Sequence, residues 1–390
     1  MKEILPIIEK ETKGKCFQSQ KYSIDVEKLS TLEYKNKEKE IIFEDKGEIG
    51  GPKTVYNLSS EVAKWQNHDS LFKYFLDGSR RVYKIADILY GDKVYPIIAG
   101  QIGVGCCNRF NKKINRELFV KENVLVFPTI ANPNNGNLDQ FFENLKNKIN
   151  GEALNKKNLN FKIHKILSYK TNTDKDLSDT GVAKVQDRMI ELEKEVVANL
   201  VKSNLLSSSE YLIKDGSLEY QEYKSNKNSI VADFDKKYSY AKIKNNYTYV
   251  VGVSKSFNSA LAQTKNKDCI AQDIVELKIG ERTPAYMYGC ANTGDEKFSI
   301  WYLRIRDAKY CKSPFDGVLK VEKLLSDEEK NNGGLDPDEI NAISANLVME
   351  RNPVCYGSDT RWANHLYPIY LTETFVKSQY LSDTFFLNIF

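Results

Sequence analysis

What this chain has little of narrows it first. Its three histidines, at positions 68, 164 and 365, are too few and too scattered for a structural zinc site. Any metal would therefore be held by carboxylates, ligands that suit Mg²⁺ or Mn²⁺. Seven cysteines include no C-x-x-C pair, and an odd, dispersed set reads as reduced thiols in a cytoplasm rather than a disulfide frame. No apolar run approaches the roughly eighteen residues of a membrane-spanning helix. The opening Met1-Lys2-Glu3-Ile4-Leu5-Pro6 lacks a signal-peptide core of about 7–15 apolar residues. The expectation is a cytoplasmic protein that does not engage a membrane. Arginine is also scarce: ten of the 57 basic residues, so that adjacent Arg80 and Arg81 stand out. Against 53 acids the net charge is +4, which permits a nucleic-acid partner without requiring one.

What is present suffices for a core. Hydrophobic residues make up 41% of 390 and charged residues 28%, which excludes a mainly disordered or collagen-like chain and suggests one large domain or two fused ones. Residues 28–48 are charged and aperiodic, and read as peripheral. Ser59 or Ser60 looks like the cap of a short helix ending near Trp65. Strand-forming residues fill 71–76, 81–90, 94–107 and 124–130, a spacing that suggests an antiparallel meander. Helices are expected over 137–149 and 179–204, and strands over 161–169, 210–214, 247–253 and 298–306. A helix is expected to follow Ser254, a polar loop to occupy 326–334, and a helix to open at Asp336-Pro337. Residues 366–370 read as extended, and 380–390 form an aromatic terminus destined for the core or for a dimer contact.

Four segments carry chemistry. In Phe75-Leu76-Asp77-Gly78-Ser79-Arg80-Arg81 an acid follows an apolar strand; the Asp-Gly is either a hairpin turn or a carboxylate at a sheet edge where backbone approaches a ligand. Tyr211-Leu212-Ile213-Lys214-Asp215-Gly216-Ser217 repeats the pattern, and two such ends bring two carboxylates side by side. On the long helix, Val185, Met189, Leu192, Val196 and Leu200 form one stripe. At about 100° per residue Glu193 falls inside that stripe, whereas Glu191 and Glu195 point away. A carboxylate against a core is costly unless it is paired or ligates metal, so Glu193 either meets a Lys or Arg or faces the sheet edge with Asp77 and Asp215. Acids on a first strand, a helix and a later strand make a two-metal phosphoryl-transfer arrangement. Finally, Gly252-Val253-Ser254-Lys255-Ser256 ends a strand, either as a simple Ser cap or as a phosphate seat at a helix start, with Lys255 on the phosphate.

Taken in order, these residues resemble the NurA nuclease family, partners of HerA-type hexameric ATPases. The match runs through Asp77-Gly78-Ser79, Arg188 and Glu193, Asp215-Gly216-Ser217-Leu218, Gly252-Val253-Ser254-Lys255 and Tyr367-Pro368-Ile369-Tyr370-Leu371, over residues 70–385. The resemblance implies an α/β, RNase H-like mixed sheet flanked by helices and a Mn²⁺- or Mg²⁺-dependent DNase acting as a homodimer on a ring ATPase. Asp77, Glu193 and Asp215 would hold metal, Lys255 would assist catalysis at the phosphate, and Arg80, Arg81 and Tyr367 would contact DNA. An exposed arginine pair is more often a solvated or partner-facing patch, and Tyr367 is read first as a core residue and second as a stacking one. The implied organisation is an N-terminal extension over 1–70 and a nuclease domain over 71–390, with its core at about 71–265 and a C-terminal part over 266–390. One departure stands out: where the family places a histidine after the Tyr-Pro motif, this chain has Thr374 and Phe375. His365 lies upstream, and on an extended reading of 366–370 it does not reach the site, so weak intrinsic activity is expected and His365→Ala should change little. Two rivals are an adaptor of the same fold that has lost catalysis and a Piwi-like guided nuclease.

Overall fold

The computed structural model describes residues 4–17, 21–24, 41–43, 47–50, 55–133, 136–154, 161–172, 176–219, 244–257, 262–264, 270–289, 296–311, 313–353 and 362–390. After a first helix, α1 (Ile4–Thr12), the sheet is founded on three long strands, β1 (Phe72–Tyr90), β2 (Lys93–Phe110) and β3 (Lys113–Pro128). Their antiparallel pairing is set by tight turns. Asn111 and Lys112 both take positive φ, 50° and 59°, as a two-residue hairpin matched to strand twist requires. Strand β4 (Lys165–Tyr169) then pairs parallel to β3.

The long helix α2 (Leu177–Lys202) starts where the Asp176 side chain accepts from the amides of Ser178 and Asp179, satisfying two orphan donors. It crosses the sheet and leads to β5 (Tyr211–Asp215), parallel to β1, and β6 (Val250–Ser254), parallel to β5. Strands β7 (Phe298–Arg304) and β8 (Val318–Leu324) extend the sheet in the order β7-β8-β6-β5-β1-β2-β3-β4. Within it, β3-β2-β1-β5-β6 is a meander followed, after a crossover helix, by two strands parallel to the first. This is the RNase H-like arrangement, and the expected α/β mixed sheet flanked by helices is what the chain adopts. Three helices close the fold: α3 (Pro337–Met349), α4 (Tyr367–Ser378) and α5 (Asp383–Ile389).

Strand alternation divides the sheet into two buried faces. Leu76, Ile102 and Val104 pack with Val185, Met189 and Leu192 of α2. On the opposite face Phe75, Ile213 and Val251 pack with Ile340 and Ile343 of α3 and Ile369 of α4. The aromatic terminus resolves toward the core: Phe386 and Phe390 are buried with Ile4, Leu5 and Ile8 of α1.

The first 70 residues, expected as an extension, also contribute Lys15–Phe17 and Tyr22–Ser23 to the edge of β1. Much of 28–48 lies outside the described residues, but Glu48 is fully buried against Arg282 at 3.0 Å.

Four local expectations are corrected. Asp77-Gly78-Ser79 is neither a turn nor a strand end; it lies inside the single strand β1, paired with Gly105, Val104 and Gly103. The 366–370 stretch is helical from Tyr367, with Pro at the helix start, where its missing N–H costs nothing. The 326–334 loop holds a short helix, Asp327–Asn331, whose Ser326–Glu329 capping box accounts for it. Residues 255–257, the expected start of a helix after Ser254, are not helical; 258–261 lie outside the described residues, and Ala262–Thr264 pairs as a strand with Ile41–Phe43. Among the described residues, no helix is long and apolar enough to cross a membrane.

Candidate active site

Strand β5 ends at Asp215, while its neighbour β1 runs on beyond the last shared pair, Leu76 with Lys214. The shorter strand leaves a notch in the sheet, and Asp77 lies on its wall, one residue past that pair. The chain leaves the notch through Gly216, whose φ of +85° is a conformation that favours glycine. Its amide donates to Val253 O at 2.9 Å. The following turn is pinned by Glu322 of β8, which accepts from Ser217 Oγ at 2.8 Å and from the Leu218 amide at 2.7 Å. Burial opposes the charge on Glu322, but Lys320 beside it and these donors hold its carboxyl below the usual range.

Alternation sends Asp77 and Asp215 to the face covered by α4. Helix α4 lies close because β2 is bare there: a Cβ on Gly105 would sit 2.6 Å from Val376, and one on Gly103 would sit 2.8 Å from it. This close approach brings Glu373 into the notch. Asp77, Asp215 and Glu373 each offer a carboxylate oxygen, and the three lie within 4.8 Å of one another. Asp77 is only 6% exposed, and among the described residues its carboxylate meets no hydrogen-bond donor. Burial, then the Asp215 and Glu373 charges, push its pKa well up. Glu373 Oε2 is likewise buried without a hydrogen-bond partner. Orphaned carboxylate oxygens around one point are the donor set of a hard divalent cation, so these residues fit Mg²⁺ or Mn²⁺.

Lys255 projects into the same group, with its Nζ 2.8 Å from Asp215 Oδ2 and 3.7 Å from Glu373 Oε2. Burial opposes its charge, but the two acids keep it above the usual lysine value. Reciprocally, although burial works against ionisation, Lys255, Lys377 and His365 hold Glu373 below the ordinary glutamate value. The helix-start phosphate seat expected for Ser254-Lys255 is absent from the described residues; Lys255 acts from the strand end.

Glu193 arrives from the α2 face. It is 3% exposed and lines the same cavity of about 480 Å³ with Asp77, Lys214, Asp215 and Lys255. Its carboxylate passes over the backbone of β1, where a Cβ on Gly78 would lie 2.3 Å from Oε1. Lys214 Nζ holds it at 2.9 Å. Both alternatives for Glu193 are thus realised: it faces the sheet edge, and it is paired with a lysine. It does not join the cluster of three oxygens. Burial raises its pKa, partly offset by Lys214. Glu191 and Glu195 instead bind Arg188, at 2.9 and 3.4 Å.

The remaining candidates are placed as follows. Arg80 Nε donates to Gln186 Oε1 at 2.6 Å. Arg81 pairs with Asp383 at 3.1 Å and lies over the Tyr380 ring, so both arginines tie β1 to neighbouring helices. Tyr367 is not in the core; it and Tyr370 are each 43% exposed. His365 is buried, 5.9 Å ring to ring from Tyr370, and acts on Glu373. The helical course of α4, not an extended one, brings it there. Glu373 and Lys214 are the two residues of the site that sequence reasoning passed over.

The fold and site together define an α/β chain of RNase H-like strand order with a carboxylate cluster at the notch beside its first strand. No family model matches the chain, and no curated protein matches it significantly. Among solved structures, the crystal structure of the NurA nuclease from Sulfolobus solfataricus is similar at 10% identity with a TM-score of 0.41, covering 81% of this chain and 87% of that one.

Proposed function

We propose that this protein is a divalent-metal-dependent nuclease acting on DNA. One observation carries the reading: the carboxylates of Asp77, Asp215 and Glu373 converge within 4.8 Å beside buried Lys255, and Asp77, Asp215 and Lys255 line a cavity. Hard oxygen ligands select Mg²⁺ or Mn²⁺, and a bound ion of this kind polarises a phosphoryl oxygen and activates water. The chain's own residues do the rest. Asp77 and Asp215 are held rigid by the sheet, and Glu373 closes the set from a helix. Lys255 carries the positive charge that a phosphodiester needs at the same point.

Exposed Tyr367 and Tyr370 lie two turns and one turn before Glu373 on α4, with Arg351 exposed next to them, bridged to Leu366. Aromatic faces with a basic neighbour suit bases and backbone, and this supports Tyr367 as a DNA contact. Arg80 and Arg81, occupied within the fold, are weaker candidates. The choice of DNA over RNA, a homodimer and a HerA-like hexameric ATPase partner all follow from the sequence resemblance to NurA nucleases.

The test is incubation of end-labelled linear DNA and RNA with the full chain in Mn²⁺, with and without EDTA. Metal-dependent loss of DNA supports the reading. No cleavage of either polymer would favour a non-catalytic adaptor. A native mass of one chain at micromolar concentration would remove the homodimer.

A further inference from the structure

Asp77, Asp215, Glu373 and Glu193 reach the notch, yet they are not equivalent. We propose that the site takes one divalent cation rather than two, because Lys214 holds Glu193 out of the ligand set and supplies the second positive charge itself. This rests on the metal-dependent reading above and narrows it.

The geometry separates the acids into two groups on opposite sides of the sheet. Asp77, Asp215 and Glu373 gather on the α4 face, their oxygens within 4.8 Å of one another. Glu193 reaches the notch from the α2 face across Gly78 and is bound there by Lys214 at 2.9 Å, both side chains nearly inaccessible, 5% and 11% exposed. An ammonium has three N–H donors. Lys214 spends the others on the backbone oxygens of Asp215 at 3.0 Å and Ser217 at 3.3 Å. It is thus fully satisfied and anchored to the loop that carries Asp215. Lys214 holds Glu193 through Oε2 while Oε1 lies against Gly78, so drawing the carboxylate across into the cluster would disrupt a buried ion pair, a change that typically costs several kcal/mol.

Charge balance points the same way. Glu193 and Lys214 neutralise each other. The three clustered carboxylates and Lys255 leave a formal charge of two negative, which one divalent cation cancels. Lys377, also on Glu373 at 2.7 Å, reduces the remaining attraction further. A second ion at the roughly 3.5–4 Å spacing of two-metal sites would enter a site that is already neutral or positive.

The experiment is a count of bound Mn²⁺ by electron paramagnetic resonance of the free ion, on the full chain. Wild type should bind one ion. Glu193→Gln should keep that ion with its affinity changed less than about threefold, whereas Asp215→Asn and Glu373→Gln should each weaken it at least about tenfold. Lys214→Met should free Glu193 and raise the count to two. The double variant Lys214→Met, Glu193→Gln, which removes both charges of that pair, should return to one. Two ions on wild type, with one lost in Glu193→Gln, would overturn the proposal while leaving the nuclease reading intact. A count of one in Lys214→Met would overturn the role of Lys214. No ion on wild type would overturn both readings.

Discussion

Asp77 carries its charge at a cost. It is buried among other acids, with its pKa pushed up by burial first and by Asp215 and Glu373 next. An acid whose folded pKa exceeds its unfolded one stabilises the fold when protonated; that contribution is present below the ordinary aspartate range and lost as pH rises through the raised value. At pH 7–8 without metal, Asp77→Asn should therefore melt higher than wild type, the difference shrinking toward pH 4. Adding Mn²⁺ should stabilise wild type, by about 2.7 kcal/mol at a hundredfold excess over Kd, and leave the variant unmoved. Scanning calorimetry with and without metal checks both signs. Gly78 belongs to the same scale. A methyl there would meet Glu193 Oε1 at 2.3 Å, so Gly78→Ala should cost about 1–3 kcal/mol in denaturant titration, and much less in a Glu193→Ala background. Asp77, Asp215, Glu193 and Lys255 were legible because acids beside Gly and an acid inside an apolar stripe are local patterns. Glu373 was not, because 366–370 read as extended. With Pro368 taken as a helix start, the same face reasoning places Glu373 about 100° from buried Thr372, at the edge of the buried stripe.

Helix α4 is the element on which the cluster of three carboxylates depends, since it brings Glu373 to the two acids of the sheet. Its seat is a stripe of missing side chains: Gly103 and Gly105 admit Val376, and Phe375 meets Phe119 edge-on at 5.3 Å between ring centres. Gly105→Val should lift α4, with loss of Mn²⁺ affinity by tenfold or more but retention of the sheet by circular dichroism; unchanged affinity would mean that Glu373 is not a ligand. The strands, the long helix and the meander could be read from periodicity. Two features could not. The length of β1 was hidden because Asp-Gly-Ser looks like a turn, whereas continuous pairing with β2 carries it through as strand. The short strand at Ala262–Thr264 was hidden because its partner, Ile41–Phe43, is more than two hundred residues away.

The whole molecule presents the notch together with an exposed ladder of Tyr367 and Tyr370 and the exposed Arg351. If nucleic acid follows that path, replacing both tyrosines by alanine should weaken binding of an unpaired oligonucleotide by at least tenfold, as stacking is worth about 1–3 kcal/mol per base. The Mn²⁺ count should stay unchanged. Fluorescence anisotropy reads the first quantity and resonance the second; equal affinity in the double variant would move the path elsewhere. The α/β class with an RNase H-like mixed sheet was implied by the resemblance; from the chain alone only the antiparallel meander could be anticipated. The joining of residues before 71 to the same sheet could not, because such edge pairings depend on distant partners. The most direct test of the central claim is cleavage of linear DNA in Mn²⁺ by wild type, Asp77→Asn, Asp215→Asn and Glu373→Gln, each shown to be folded. Wild type should cut and stop on addition of EDTA, and each variant should lose on the order of a hundredfold or more. Cleavage by all three variants at the wild-type rate, or cleavage indifferent to EDTA, would contradict the account.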